Sequence, residues 1–131
     1  MAYMSTGPAK ILIYLKAFLP SVLWAGIIFL FSAQEVLPGF SVSIFDFLLK
    51  KLAHMFVYAV LYLLILRGFK VIKQTKHQKK FWWLAILICF IYAITDELHQ
   101  ATVPGRHATL RDIGYDMLGV SIVVLKKFQY I

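Results

Sequence analysis

Long apolar runs separated by short polar segments constrain this chain more than any other feature of its sequence. Apolar residues dominate positions 11–32, 46–66, 81–99 and 109–127, and a helix of ~20 residues crosses a hydrocarbon core of ~30 Å. With 61% hydrophobic residues and a mean hydropathy of +0.77, a soluble domain of 131 residues would expose too much apolar surface. The sequence therefore predicts an all-α membrane protein: one domain over 1–131, built as a bundle of about four transmembrane helices with short loops.

The distribution of basic residues predicts how these helices are oriented. Segment 67–80 contains six Lys and Arg residues and no acid, which is typical of a cytoplasmic connection. Two connections, 35–43 and about 99–111, then face outward, and both termini are cytoplasmic. Because membrane orientation accounts for the net charge of +8, we predict no nucleic-acid partner.

Polar side chains from all four helices reach one depth near the predicted outer surface. At 1.5 Å per residue, Ser32, Lys51, Asp96 and Asp112 each lie about 21 to 24 Å from the cytoplasmic charge that bounds their helix. Ionisable groups at such a depth are costly and usually functional. We therefore expect a polar pocket at the extracytoplasmic side.

Helical spacing predicts which polar side chains share a face on the second and fourth helices. Lys51, His54 and Tyr58 stand at i, i+3 and i+7, which places them on one face. A second stripe, at i, i+4 and i+7, ends in a glycine that permits close helix contact. It consists of Asp112, Asp116 and Gly119.

The end of the third helix and the turn after it form the densest polar stretch. Asp96, His99 and Gln100 share a face at i, i+3 and i+4, and Glu97 lies beside them. A tight turn at 104–105, Pro-Gly, is expected to return Arg106 towards these side chains.

These groups divide into candidate catalytic and candidate ligand-binding residues. Carboxylates and imidazoles suit general acid and base roles, because imidazole titrates near neutral pH. The candidate acid and base residues are Glu97, Asp96, His99 and His54. The candidate ligand-binding residues are Lys51, Tyr58, Gln100, Arg106, Asp112, Ser32 and Gln34.

Two other interpretations of the same residues stay open. The charges can simply neutralise one another and hold the helices together. A metal site is the second alternative, with His99, Asp96, His54 and Asp112 as ligands. Their spacing matches no standard zinc signature, so we assign no metal ligand and predict no cofactor.

The motifs together resemble those of a known family, the VanZ-like membrane proteins. The resemblance covers 31–119 and rests on four motifs: FSxQ at 31–34, KxxHxxxY at 51–58, DExHQxxxPGR at 96–106 and DxxxDxxG at 112–119. Asp116 is a departure, because the family more usually carries Asn there. The resemblance implies a multi-pass protein of the bacterial cytoplasmic membrane, related to a protein associated with resistance to the lipid-bearing glycopeptide teicoplanin.

Three functional hypotheses follow. The first is binding of an envelope lipid, glycolipid or lipoglycopeptide in the outward polar site, with Lys51 and Arg106 holding an anionic head group, and a possible contribution to teicoplanin resistance. The alternative is a membrane-embedded acid/base hydrolase or transferase that acts on a lipid-linked cell-wall substrate. A proton-coupled carrier is a third hypothesis. The lipid bilayer is the expected partner in each case, and the oligomeric state is not predicted.

Overall fold

The structure is a computed structural model that describes residues 7–33, 44–73, 79–106 and 108–129. Within these ranges the chain forms four α-helices and no strand, which confirms the all-α prediction. Gln34 and the predicted connection 35–43 lie outside the described residues. The helices are α1 (Gly7–Ser32), α2 (Ile44–Lys73), α3 (Lys79–Ala101) and α4 (Leu110–Lys127).

Three of these helices are long and apolar enough to cross a membrane. They are the 26 residues of Gly7–Ser32, Phe47–Ile72 within α2, and the 23 residues of Lys79–Ala101. Their outer faces expose large apolar side chains such as Val22 and Trp83, as contact with lipid requires. The fourth helix has only 18 residues and carries charged residues at both ends and in its second turn, so its crossing of the bilayer stays a prediction.

The central element is α2, which packs most extensively on α4 and α1. Its buried side chains include Tyr58, Leu61 and Tyr62. On α3, small buried side chains recur every four residues, which lets the neighbouring helices approach closely. They are Ala85, Cys89 and Ala93.

The connection between α2 and α3 is shorter than predicted, because α2 continues to Lys73 rather than ending at 66. Phe69, in the added turns, packs on Phe18 of α1 and Phe81 of α3, with ring centroids 5.4 and 5.0 Å away. Basic side chains at the end of a helix interact favourably with its dipole, so they extend α2 here rather than stopping it.

The connection between α3 and α4 is a tight turn followed by a cap. The amide of Arg106 donates to the carbonyl of Val103 at 3.2 Å, and Gly105 has a φ of 78°. Pro followed by Gly with positive φ is the residue pattern of a type II turn. Thr109 then caps α4, because its hydroxyl accepts a hydrogen bond from the amide of Asp112.

Candidate functional site

Polar side chains from all four helices meet at one level of the bundle, as the depth count predicted. We call this set the polar layer. Its members lie near the end of α1, in the first half of α2, at the end of α3 and in the first two turns of α4. They are Ser32, Lys51, His54, Tyr58, Asp96, Glu97, Gln100, Asp112 and Asp116.

The stripe predicted on α2 organises this layer. Each of its three polar side chains contacts a different carboxylate of α3 or α4, so the shared face is confirmed. The pairs are Lys51 Nζ with Asp112 Oδ1, His54 Nδ1 with Asp116 Oδ1 at 2.8 Å, and Tyr58 Oη with Asp96 Oδ2 at 3.2 Å.

A close approach of α2 and α4 makes two of these contacts possible. A Cβ atom at Gly119 would collide with the backbone of Met55, which follows His54 directly. Gly119 lies almost one turn beyond Asp116, so the helices touch next to the His54–Asp116 pair. The absence of a side chain at Gly119 therefore sets the distance between these two polar groups.

Asp96 is held by neutral donors. Its Oδ1 accepts from Ser32 Oγ, and its Oδ2 accepts from Tyr58 Oη and from Gln100 Nε2, the latter at 3.3 Å. Gln100 Nε2 also lies 3.3 Å from Ser32 Oγ. All four side chains are buried. This network joins α1, α2 and α3, and its donors satisfy both oxygens of the carboxylate.

Lys51 and Asp112 form an enclosed ion pair. Their side chains are 15% and 14% exposed, and the Lys51 ammonium lies 5.2 Å from the ring centroids of both Phe47 and Tyr115. The pair neutralises the charge of Lys51. Of the two cations predicted to hold an anionic ligand, Lys51 is therefore already engaged within the protein.

Arg106 differs from Lys51 in this respect. Its Nη2 donates to the carbonyl of Phe31 at 3.4 Å, and its buried Nε has no hydrogen-bond partner among the residues that the structure describes. Among the described residues no carboxylate pairs with its guanidinium. The turn therefore places a cation with unused donors beside the end of α1, next to Ser32 of the polar layer.

Glu97 links the layer to the start of α4. Its Oε2 accepts a hydrogen bond from the amide of Thr109 at 3.2 Å, so it helps to position the cap of that helix. The side chain is 3% exposed, and its Oε1 has no hydrogen-bond partner within the described structure. One oxygen thus has a structural role, and the other is free to act on a bound group.

His99 is the candidate that the structure places apart. Its ring stacks on Phe29 of α1, with centroids 4.3 Å apart and an interplanar angle of 12°. Nδ1 of His99 is buried and has no hydrogen-bond partner in the described part of the chain. Although His99 and Gln100 both lie near the direction of Asp96, they diverge from each other by about 100° on a helix. Gln100 therefore reaches the Asp96 network and His99 does not.

Asp116 was missing from the predicted candidate residues. It is fully buried and pairs with His54 through Oδ1, while its Oδ2 has no partner in the described residues. Its i+4 spacing from Asp112 was the available signal, because it places both carboxylates on the stripe of α4 that faces α2. Its partner, His54, depends on how α2 is rotated relative to α4, which the spacing does not specify.

A cavity of about 280 Å³ lies between α1, α2 and α3, away from the layer along the helices. We call it the groove. The hydroxyl of Tyr92, which lines it, donates to the carbonyl of Ala25, and Tyr92 lies only one turn, about 6 Å, from Asp96. The other lining side chains are mostly apolar. They are Phe18, Ser21, Val22, Leu61, Ile65 and Ile88.

Comparison with known proteins identifies a family for the chain. The family model described as VanZ/LLP1 matches residues 15–126, which include every member of the polar layer. No curated protein and no solved structure shows significant similarity to the chain. A match over most of the sequence is decisive for membership, and this membrane protein therefore belongs to the VanZ/LLP1 family.

Proposed function

We propose that the protein binds a membrane lipid or a lipid-bearing glycopeptide, with its head group at the polar layer and an acyl chain in the groove. The observation that carries this proposal is the adjacency of the two: Tyr92 lines the groove and lies one turn from Asp96. An amphipathic ligand needs an apolar site for its chain next to a polar site for its head group. The two sites must follow each other along the membrane normal as the chain and the head group do.

Arg106 is the residue that supports an anionic head group. Its guanidinium has a buried Nε without a partner and no paired carboxylate among the described residues. A planar guanidinium matches the oxygens of phosphate or carboxylate through two parallel hydrogen bonds. Lys51 contributes less to this site than the sequence indicated, since Asp112 neutralises it.

Native mass spectrometry of the detergent-purified protein tests this role of Arg106. We expect wild type to retain phosphatidylglycerol in preference to phosphatidylcholine, and Arg106→Ala to lose the preference. Arg111→Ala is the matched control, because it removes the same charge from an exposed position at the start of α4. Equal retention of the two lipids by wild type would contradict the proposal, as would an equal loss in both variants.

Two leucine substitutions test the groove. Ala25→Leu fills the groove, whereas Gly26→Leu adds the same side chain where no atom lies within 4 Å of the new Cβ. We expect Ala25→Leu to lower lipid retention several-fold and Gly26→Leu to leave it unchanged. Similar retention by both variants would show that no acyl chain occupies the groove.

A contribution to teicoplanin resistance is a separate part of the proposal, and membership of the VanZ/LLP1 family supports it. Expression in a Gram-positive host should protect against teicoplanin more than against vancomycin, because only a ligand with a lipid tail uses the groove. Ala25→Leu and Arg106→Ala should remove this protection, while Gly26→Leu should keep it. Protection by all variants alike would separate the phenotype from the site.

A second candidate function is acid/base catalysis on a lipid-linked substrate. The observation that favours it is the free, buried Oε1 of Glu97, since a carboxylate oxygen without a partner can accept or deliver a proton. Glu97→Gln keeps the size of the side chain and an acceptor for the Thr109 amide. We expect this variant to bind lipid normally but to lose all turnover of the lipid-linked substrate. Unchanged turnover would exclude Glu97 as the acid or base.

A further inference from the structure

Two buried carboxylates of the polar layer have one oxygen each that no described residue satisfies. They are Glu97, 3% exposed, with Oε1 free, and Asp116, 0% exposed, with Oδ2 free. Buried carboxylate oxygens without donors are costly, because burial removes the water that would otherwise bind them. These two oxygens are therefore available to a donor or a cation that the described residues do not supply.

His54 lies close to both of these carboxylates and makes a group of three potential ligands. One nitrogen of His54 and one carboxylate oxygen each from Glu97 and Asp116 lie within 4.8 Å of one another. They come from α2, α3 and α4, so three helices converge on this point. The alternative set suggested by the sequence is not assembled in this way, since His99 stacks on Phe29 instead.

The charges around this point favour a cation. Lys51 is engaged by Asp112, and the network at Asp96 supplies only neutral donors. Apart from the His54 imidazole, no cationic side chain among the described residues contacts Glu97 or Asp116. A divalent ion would balance two carboxylates where the protein itself provides only an imidazole.

The donor set selects the type of cation. One imidazole nitrogen with two carboxylate oxygens suits zinc and its first-row neighbours, whereas calcium and magnesium prefer oxygen ligands alone. Zinc bonds of ~2.0–2.2 Å place tetrahedral ligands about 3.5 Å apart. Small side-chain rotations would close the present separation of up to 4.8 Å.

We propose that His54, Glu97 and Asp116 form a binding site for a divalent first-row metal ion, with zinc as the preferred occupant. Three protein ligands leave a coordination position for water or for a polar atom of a ligand. The site stands on these three residues alone and does not depend on lipid binding.

The first experiment uses the wild-type chain, purified in detergent through an affinity tag that contains no histidine. After dialysis against Zn²⁺, elemental analysis should find about one zinc per chain. One equivalent of Co²⁺ should produce visible ligand-field bands of a low-symmetry site with nitrogen and oxygen ligands, and an excess of Mg²⁺ should not displace them. Wild type without bound zinc and without these bands would overturn the proposal, whatever its lipid-binding behaviour.

Variants then identify the ligands. Glu97→Gln and Asp116→Asn should each lower the zinc affinity by at least ~100-fold, because second-shell changes alone cost 10–100-fold. His99→Gln is the matched control: it removes an imidazole from the same level of the bundle and should retain full zinc binding.

Binding that survives in the double variant Glu97→Gln/Asp116→Asn would overturn the assignment, as would equal loss in His99→Gln. If a variant does not purify as a folded protein, the wild-type cobalt spectrum decides. Zinc should also raise the unfolding temperature of wild type, and a chelator should reverse that shift.

Discussion

A carboxylate among packed helices has to be matched by donors, and the acids of this bundle meet that requirement to different degrees. Asp96 receives three neutral donors, and Asp112 is neutralised by Lys51. Glu97 and Asp116 each retain a free oxygen. The contacts of Asp96 and Asp112 join neighbouring helices, whereas the free oxygens of Glu97 and Asp116 carry the proposed metal site and, for Glu97, the proposed acid/base role.

The hydrogen bond from Tyr58 to Asp96 can be tested by removing a single hydroxyl. Tyr58→Phe leaves a buried carboxylate with one donor fewer and should cost about 1 to 2 kcal/mol of unfolding free energy. Tyr62→Phe is the control, because the Tyr62 side chain is equally buried but its hydroxyl has no hydrogen-bond partner among the described residues. Thermal unfolding in detergent should separate the two variants. Equal effects would mean that the hydrogen bond from Tyr58 to Asp96 adds no stability.

The Lys51–Asp112 pair predicts non-additive substitutions. Lys51→Met alone leaves Asp112 enclosed without its cation and should destabilise the protein by about 2 to 4 kcal/mol. Adding Asp112→Leu removes the stranded charge, so the double variant should recover most of the lost stability. A double-mutant cycle measures this coupling. Purely additive losses would show that the two charges do not depend on each other.

The contact between α2 and α4 brings together the Lys51–Asp112 and His54–Asp116 pairs of the polar layer. It delivers Lys51 to Asp112 and His54 to Asp116 along one interface. That interface depends on Gly119, where backbone meets the backbone of Met55. A change at this glycine should therefore disturb both polar pairs together, whereas replacing one pair should leave the other in place.

Gly119→Ala should push α2 and α4 apart. The added methyl group collides with backbone, which cannot yield as a flexible side chain does. We therefore expect the free energy of unfolding to fall by ~3 kcal/mol, the upper end of the usual range for overpacking, or by more. Gly114→Ala, on the same helix but with nothing within 4 Å of its Cβ, should instead gain about 0.5 to 1 kcal/mol. Thermal unfolding of both variants checks the prediction. Stabilisation by both would mean that the helices are not held at this distance.

The arrangement of the whole chain in the membrane is predicted by its basic residues and tested by labelling. Cys89 is buried and is the sole cysteine of the sequence, so Cys89→Ala provides a background for single cysteines. Thr102→Cys, between α3 and α4, should react with an impermeant maleimide in intact cells. Lys127→Cys, at the end of α4, should react only after permeabilisation. Labelling of both sites in intact cells would mean that α4 does not cross the bilayer.

Much of this fold follows from local properties of the chain. Hydropathy and run length predict the helices, because ~20 apolar residues suffice to span a bilayer, and helical spacing predicts the shared face of Lys51, His54 and Tyr58. Counting residues also predicts that polar groups meet at one depth, since the rise per residue is constant. Apolar length alone places the end of α2 at 66, but the helix continues to Lys73, because the basic turns that follow the apolar run remain helical.

Only the packed bundle determines which polar side chains pair with one another. The separation of His99 from Gln100, the His54–Asp116 pair and the free oxygens of Glu97 and Asp116 depend on how far each helix rotates and slides against its neighbours. No local pattern specifies that rotation or translation. It is set by contacts between distant residues, such as the backbone approach at Gly119, and those contacts exist only once all the helices are packed.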